Sequence, residues 1–539
     1  VNKNENIQNI MRSRMECCNK FIKPGSQSLK GRLSGYPLLK SYLALAPVAL
    51  VVNACEKEPP EIKADGPNIL FIYTDDQSQR TLSCYNDENA WSWVQTPNID
   101  RLAAEGVRFT NAYGASWSAP SRACLLSGLM QHAIPGMKLY QNRDLSRPWA
   151  CIGDGYDPEV TPFWPVDLRK AGYYTAMIGK WHIGQNAGHG RLWDHSIVWD
   201  QNNPTGDWYN NQELAIDGAP PKVIAGYSTD VYTYYATQFI KREHKKPWFL
   251  WLNYNAPHLP NTVHPRHASY YAGADMDLPT DIFGPRPDKP KYMVDWTMLT
   301  KATDGTVYYK NTTLKETIRA YNRLVSAVDE GVGEILRVLE ETGQLDSTLI
   351  IFTSDQGFAW GEHGYAWKTG PYDACQRMPL IFRMPGKVAS GAVCQQPVTI
   401  VDISSTIVSF AEVTLPWDMH GHDLSLLLSN PTNISDWPIL MEHFGGRFGT
   451  ETNYPVIYNP DGVPHWLFLR KGKYKYIRTL EYDEIEEIYD LENDPEELIN
   501  LALNPEYEQL LQEFRSLLLS ELERTEAGFI NSLPAPATR

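Results

Sequence analysis

Four short apolar runs constrain this chain more than anything else in it. They are Pro67–Thr74, Tyr173–Ile178, Trp248–Tyr254 and Leu349–Thr353. Each is too short for a helix, rich in β-branched and aromatic residues, and apolar without the alternation of a strand with one wet face. Such runs predict strands buried on both sides, as in a parallel sheet covered by helices. Ligands of open α/β sheets bind outside the carboxyl ends of the strands, so the residues after each run carry the functional expectation. They are Asp75-Asp76, Gly179-Lys180-Trp181-His182, Asn255-Ala256-Pro257-His258 and Ser354-Asp355-Gln356-Gly357. Alone, an Asp-Asp pair is usually a solvated turn. At a buried strand end, two adjacent carboxylates are costly without a cation and point to a hard divalent metal.

A chain of 539 residues exceeds what one compact core usually holds, so one large domain and a smaller one are expected. Helices are predicted over Asn98–Glu105 and Asp167–Ala171, the latter closed by Gly172. The apolar spacing of Ile318, Tyr321, Leu324, Val325, Val328, Val332, Ile335 and Leu339 predicts a long amphipathic helix over Thr317–Thr342, its stripe serving the core. Leu259–Thr313 breaks the pattern and is expected to be irregular, forming part of a substrate wall. A strand at Arg377–Phe382 and a helix from Val401, with Asp402 or Ser404 near its cap, complete the large domain. After Trp437 the character changes. Trp466–Arg470 and Tyr474–Arg478 read as a hairpin around a Lys-Gly turn, and Leu510 to Leu522 as a last amphipathic helix. His443, Arg447 and Tyr454 near this junction are candidates for a substrate subsite. The net charge of −15 leaves no basic excess for phosphates and argues against nucleic-acid binding. An anionic ligand would be met by a local cluster of cations.

The central motif is Ser118-Ala119-Pro120-Ser121-Arg122-Ala123-Cys124-Leu125-Leu126-Ser127-Gly128. A serine hydroxyl is a weak nucleophile without activation, and no Gly-x-Ser-x-Gly elbow surrounds Ser118. Ser118 would otherwise be an ordinary helix cap. Ala123–Leu126 read as a buried helical turn whose backbone N–H groups would meet an anion. The pattern Ser-x-Pro-Ser-Arg-x-x-x-Leu-Ser-Gly resembles the signature of the type I sulfatases, and the resemblance runs from about Pro67 to the C-terminus. It implies an α/β fold of the alkaline-phosphatase-like kind, a large mixed sheet sandwiched by helices with a smaller C-terminal α+β subdomain of antiparallel sheet plus helix. It also implies that Ser118 is oxidised to formylglycine by a formylglycine-generating maturase. In the family's terms Arg122, Lys180, His182, His258 and Lys368 would be catalytic. Asp75, Asp76, Ser118, Asp355 and Gln356 would hold Ca²⁺, and His363, in Gly361-Glu362-His363-Gly364, would face the sugar. Gln356 stands where the family commonly has Asn; it keeps the amide oxygen but is one methylene longer. Cys124 lacks the following Pro and Arg of the modified position and is not the nucleophile.

The first residues read as processing sequence. Basic residues precede an apolar run, Tyr42–Val52, too short for a confident membrane span. The long basic lead places the expected start at Met11 or Met15. The run ends in Val52-Asn53-Ala54-Cys55, which looks like a bacterial lipobox, so lipidation of Cys55 is expected; a plain cleaved signal with an incidental cysteine is the alternative. The expected organisation is 1–54 signal peptide, 55–66 tether, 67–436 catalytic domain and 437–539 C-terminal subdomain. The protein would be an exported lipoprotein of the periplasm or outer-membrane surface, meeting the membrane only through its lipid. Cys84, Cys124, Cys151, Cys375 and Cys394 form no disulfide framework and no Cys-x-x-Cys pair for zinc. The expected function is hydrolysis of sulfate esters, with a sulfated glycan as substrate. Two alternatives stay open: a phosphonate or phosphodiester hydrolase of the same superfamily, and a non-catalytic glycan-binding lipoprotein if Ser118 is never oxidised.

Overall fold

The four apolar runs lie side by side. In the computed structural model, residues 66–88, 90–135, 161–183, 192–201, 207–444 and 463–537 are described. The strands in chain order are β1 (Asn68–Thr74), β2 (Val107–Tyr113), β3 (Tyr174–Trp181), β4 (His195–Asp200), β5 (Glu213–Ile216), β6 (Lys222–Val223), β7 (Trp248–Asn253), β8 (Leu299–Lys301), β9 (Val307–Tyr309), β10 (Thr312–Thr313), β11 (Thr348–Ser354), β12 (Arg377–Arg383), β13 (Ala392–Cys394), β14 (Val398–Thr399), β15 (Ile439–His443), β16 (Trp466–Lys471), β17 (Tyr474–Thr479) and β18 (Glu487–Asp490). The large sheet has the order β13-β2-β12-β11-β1-β7-β3-β4-β5-β6, with β14 also on β2. Its centre, β11-β1-β7-β3, is parallel, and the strand ends are level: Thr74 pairs with Ser354, Tyr73 with Asn253, and Asn253 with Gly179. The flanks turn antiparallel at β12 and β5, so the sheet is mixed.

Helices cover both faces, which is why the central strands carry apolar residues on both sides. One core gathers the helices Ser118–Ser127, Trp164–Lys170, Ile400–Phe410 and Glu508–Arg524 with inward residues of the C-terminal sheet. The other gathers Pro97–Ala104, Ser228–Ile240 and Leu314–Glu341. The C-terminal antiparallel sheet, β15-β16-β17-β18, contains the expected hairpin, with Gly472 at a positive φ of 56° in its turn. The helix Ile400–Phe410 starts on a capping box between Thr399 and Asp402. Ser404 instead donates to the Leu125 carbonyl on the neighbouring helix.

Three expectations need correction. The strand expected to stop at Ile178 continues through Lys180 and Trp181, because Gly179 (φ 112°) allows an approach at which a Cβ would sit 1.9 Å from the Asn253 carbonyl oxygen. Lys180 is therefore a strand residue, seated on the sheet. The segment after Leu259 is not wholly irregular: β8, β9 and β10 form a small antiparallel sheet. The turn read at Ala123–Leu126 belongs to a helix that already begins at Ser118, so its free N–H groups belong to the first turn and not to residues 123–126.

Buried charge ties the C-terminal sheet to the large one. Lys475 on β17 reaches Asp373 and Glu497, each at 2.8 Å. On the other side His132 Nδ1 lies 2.6 Å from Glu442 Oε2 on β15, while its Nε2 lies 2.8 Å from the Thr525 carbonyl oxygen. Both ring nitrogens face acceptors, which suits the imidazolium form. Burial alone would lower the pKa of His132; the Glu442 carboxylate overcomes this and raises it. The stabilisation is thus fully present below the unfolded histidine pKa of about 6.5 and is lost as pH rises through the elevated folded value. His132→Leu, which leaves Glu442 buried without its cation, should destabilise the protein by about 3–5 kcal/mol near pH 6. Chemical denaturation across pH should show that loss shrinking above the folded pKa.

Candidate active site

Ser118 is the first residue of a wholly buried helix, and its Oγ donates to Asp75 Oδ1 at 2.9 Å. Asp75 follows β1 directly. Its other oxygen accepts from Lys180 Nζ, on β3, and from Arg122 Nη2 at 3.3 Å. Arg122, one helical turn beyond Ser118, also donates to Asn253 Oδ1 at 2.7 Å and lies 3.6 Å from Asp355 Oδ2. Its guanidinium sits 5.0 Å from the centre of the Tyr73 ring. Burying the guanidinium is tolerable only with carboxylate partners of this kind, although its Nε makes no hydrogen bond among the described residues.

Asp76 organises the second half. Its Oδ1 accepts from Lys368 Nζ at 2.5 Å and from Gln356 Nε2, and its Oδ2 lies 3.5 Å from His258 Nε2. Asp76 is left-handed (φ 62°). Two bonds hold that backbone: Asp76 N–H donates to Asp355 Oδ1 at 2.8 Å, and the Tyr321 hydroxyl donates to the Asp76 carbonyl. Burial pushes the Asp76 carboxyl up, against the opposing pull of Lys368. A bound cation would act in the same sense as Lys368.

The two histidines are set differently. His258 stacks on Trp208 at 4.7 Å, and its Nδ1 faces the Leu259 carbonyl, which leaves Nε2 as the atom turned to Asp76. His182 lies edge-on to Trp117, 6.0 Å away. Burial lowers both pKa values, and the Lys180 and Lys368 charges lower them further. Both imidazoles are therefore held in the neutral form near pH 7. Burial likewise lowers Lys180, partly restored by Asp355.

Asp75, Asp76, Ser118, Arg122, Lys180, His258, Asp355, Gln356 and Lys368 thus form one connected cluster, with His182 within its electrostatic reach. His363 stands apart from those contacts. It is buried, its Nδ1 is 2.8 Å from Asp281 Oδ2, and it packs on Tyr372 at 4.0 Å. It borders a cleft of about 610 Å³ with Trp91, Trp93 and Asp281. His443, expected near a subsite, is buried with Nδ1 2.8 Å from Ser116 Oγ, so it braces the turn before Ser118. Arg447, Tyr454, Cys55 and Cys151 lie outside the described residues. Cys84, Cys124, Cys375 and Cys394 are free thiols.

Four contributors were not singled out in the sequence. Asn253 had a signal, being polar at the end of an otherwise apolar strand. Tyr321 had none, since it falls on the helix stripe that reads as core. Ser121 Oγ donates to the Asp355 carbonyl at 2.6 Å, and Trp208 comes from a segment far from every motif.

The cluster has the donors for a cation. Asp75, Asp76 and His258 offer ligand atoms all within 4.8 Å of one another. Asp76 Oδ2, Asp355 Oδ2 and Gln356 Oε1 are buried and accept no hydrogen bond from the described residues. Buried oxygens without donors are expensive, and an oxygen-rich, thiolate-free set suits a hard divalent ion. Both Asp75 oxygens are already engaged by Ser118, Lys180 and Arg122. Binding there would exchange one of these bonds for the metal.

A buried carboxylate pair, three cations and a helix-borne Ser at the ends of parallel strands define a hydrolase site for an anionic ester. The family description "Sulfatase" matches residues 67–413, and "N-sulphoglucosamine sulphohydrolase, C-terminal" matches residues 361–524. The chain belongs to the sulfatase family and is a sulfatase with the alkaline-phosphatase-like fold. It is 30% identical to the N-acetylglucosamine-6-O-sulfatase of Bacteroides thetaiotaomicron, over 88% of this chain and 89% of that protein. A solved structure of a protein in complex with its substrate D-glucosamine-2-N,6-O-disulfate superposes with a TM-score of 0.68 at 28% identity, covering 86% of this chain and 98% of that one. The phosphonate monoester hydrolase of Agrobacterium radiobacter shares the fold, with a TM-score of 0.62 at 21% identity, covering 85% of this chain and 96% of that one.

Asp76→Ala and Asp355→Ala should each weaken binding of a divalent metal more than about tenfold. Titration calorimetry with Ca²⁺, supported by metal analysis of the purified protein, checks this. Stoichiometric Zn²⁺ with no response to Ca²⁺ would contradict a hard-metal site.

Proposed function

We propose that this sulfatase removes sulfate from a sulfated polysaccharide or oligosaccharide through a formylglycine made from Ser118, with Ca²⁺ in the cluster of Asp75, Asp76, Asp355 and Gln356. The observation that carries the reading is the buried contact of Ser118 Oγ with Asp75, inside a frame of Arg122, Lys180 and Lys368. The glycan substrate is supported by the N-acetylglucosamine-6-O-sulfatase relative and by the sulfated glucosamine bound in the related structure. Export as a lipoprotein through Cys55, to the periplasm or outer-membrane surface, is supported by the leader and its Val-Asn-Ala-Cys ending. A maturase is required, because oxidising the Ser118 CH₂OH to an aldehyde removes two electrons and two protons.

Hydration of the aldehyde gives a diol. One hydroxyl attacks sulfur and the glycan alkoxide leaves; the other hydroxyl collapses to the aldehyde and expels sulfate. Bound Ca²⁺ would polarise the sulfate oxygens and favour ionisation of the diol. Lys180, Lys368 and Arg122 oppose the negative charge gathering in the transition state. His182 takes the proton released as the sulfated intermediate collapses. His258 Nε2 gives a proton to the departing oxygen, an anionic sulfate ester beside it offsetting the depression of its pKa. Lys368, already bonded to Asp76, is the alternative acid; His363 is held by Asp281 away from these atoms.

Ser118→Ala should abolish sulfate release while leaving thermal unfolding unchanged. Intact mass of the Ser118 peptide from active protein should be lower by the two hydrogens lost on oxidation. An unmodified serine in fully active protein would overturn the mechanism.

The histidines should separate by leaving group. An aryl oxide leaves without help, whereas a sugar alkoxide needs a proton. His258→Ala should therefore cut glycan desulfation about 10²-fold or more while changing aryl sulfate hydrolysis far less. His182→Ala should slow both and leave sulfate on the Ser118 peptide as added mass. Equal losses on both substrates with no trapped sulfate would refute this division.

A further inference from the structure

At the opposite end of the sheet from the cluster lies a face rich in basic residues. The residues entering the central strands, Pro67 and Asn68 before and in β1, Pro247 before β7 and Ser347 before β11, line a depression of about 810 Å³ with Met384, Lys387 and Phe410. A second hollow of about 540 Å³ shares Asn68, His244 and Lys246 with it. Around both stand Lys241, Arg242, Lys245, Lys246 and Lys387, all exposed. Glu243 and Glu412 are the only acids among the lining residues.

Two features make this patch unusual in a protein of net charge −15. None of the five cations has an ion pair among the described residues, although most other described Arg residues are paired, as Arg101, Arg266, Arg337 and Arg515 illustrate. Part of the cluster follows the helix Ser228–Ile240, where cations favour the helix C-terminus. That explains Lys241 and Arg242 but not Lys387, which arrives after β12 from another part of the chain. Second, the described chain begins on this face: Gly66 lines the larger depression.

We propose that this basic face docks on an anionic lipid surface, so that the catalytic end of the sheet points away from the membrane. The inference rests on the proposed lipidation of Cys55. Cys55 precedes Gly66 by eleven residues, which reach at most about 40 Å when extended. A lipid at Cys55 would keep the face carrying Gly66 within reach of the bilayer, where lysines are drawn to anionic headgroups. The lining favours a diffuse anionic surface over a second glycan site. Its cations are flexible, mostly Lys, and act as point charges; Phe410 is the only aromatic ring besides His244, so no stacking platform is present.

The test uses the natural lipidated protein on vesicles of phosphatidylcholine alone or with phosphatidylglycerol, and lysine footprinting with an amine-acetylating reagent. On phosphatidylglycerol vesicles Lys241, Lys245, Lys246 and Lys387 should lose at least about fivefold in reactivity, while Lys222 and Lys310 should not change. Raising the salt should reverse the protection without releasing the anchored protein. Lys245→Glu/Lys246→Glu/Lys387→Glu should abolish the protection of Lys241 and leave aryl sulfatase activity unchanged. Equal reactivity on both kinds of vesicle overturns the docking face. Protection by a soluble sulfated polysaccharide without vesicles, and none by phosphatidylglycerol, overturns the membrane in favour of glycan. Flotation at high salt reports the anchor separately. If the protein then sinks, Cys55 is not lipidated. In that case wild-type protein must still float with phosphatidylglycerol vesicles at low salt and the triple variant must not; failure of that difference also overturns the proposal.

Discussion

The structure depends on charge compensation inside the protein, at the carboxyl ends of four parallel strands. Asp75, Asp76 and Asp355 are taken out of water there together with Arg122, Lys180 and Lys368. Neither set would be tolerable alone, since an isolated buried charge costs many kcal/mol. Held together, the groups are mutually neutralising and pre-aimed. Little reorganisation remains to be done when an anionic ester arrives, which is where preorganised sites gain most of their rate. A divalent ion added to a cluster already neutral in itself would tilt it positive, matching a sulfate monoester.

Much of the remaining architecture holds that cluster still. Tyr321, on a helix 28 residues long, fixes the left-handed turn at Asp76. Ser121 and the N–H of Ala115 both bond the Asp355 carbonyl, at 2.6 and 3.3 Å. Gly114 permits that approach, because a Cβ there would lie 1.6 Å from the same oxygen. The C-terminal sheet adds a further layer. Through Lys475 and Glu497 it grips Asp373, five residues beyond Lys368, and through His443 it grips Ser116, two residues before Ser118. The turn leading into Ser118 and the segment after Lys368 are therefore braced from a separate sheet, so loss of C-terminal packing would be felt at the site.

Most of the central sheet and nearly all of the cluster were legible in the chain, for two reasons. Strands buried on both faces must be apolar throughout, which marks the polar residues that end them, Asp75, Asp76, Asp355 and Gln356 among them; Ser118, Arg122 and Lys368 lie in motifs that resemble those of the sulfatases. The same logic explains what was hidden. Trp208 and Tyr321 reach the site from segments whose local pattern serves other ends, and nothing nearby in sequence distinguishes them from core residues. His443 was legible as a candidate but not in its role, because its contact with Ser116 spans 327 positions. The small sheet β8–β10 was missed since its strands are two or three residues long, too brief for an alternation to register.

By itself, the sequence determined the order of the elements, the parallel core and the polar residues at its strand ends, because burial period is a local property; Ser118, Arg122 and Lys368 were marked by the resemblance of their motifs to those of the sulfatases. Tertiary structure alone decided the pairing of those groups. It set Asp75 against Ser118, Lys180 and Arg122; Asp76 against Lys368, Gln356 and His258; and His363 away from both. Those choices turn on strand register and on the few ångströms that Gly179 and Gly114 allow between backbones, and register is a relation between distant segments that no local pattern records.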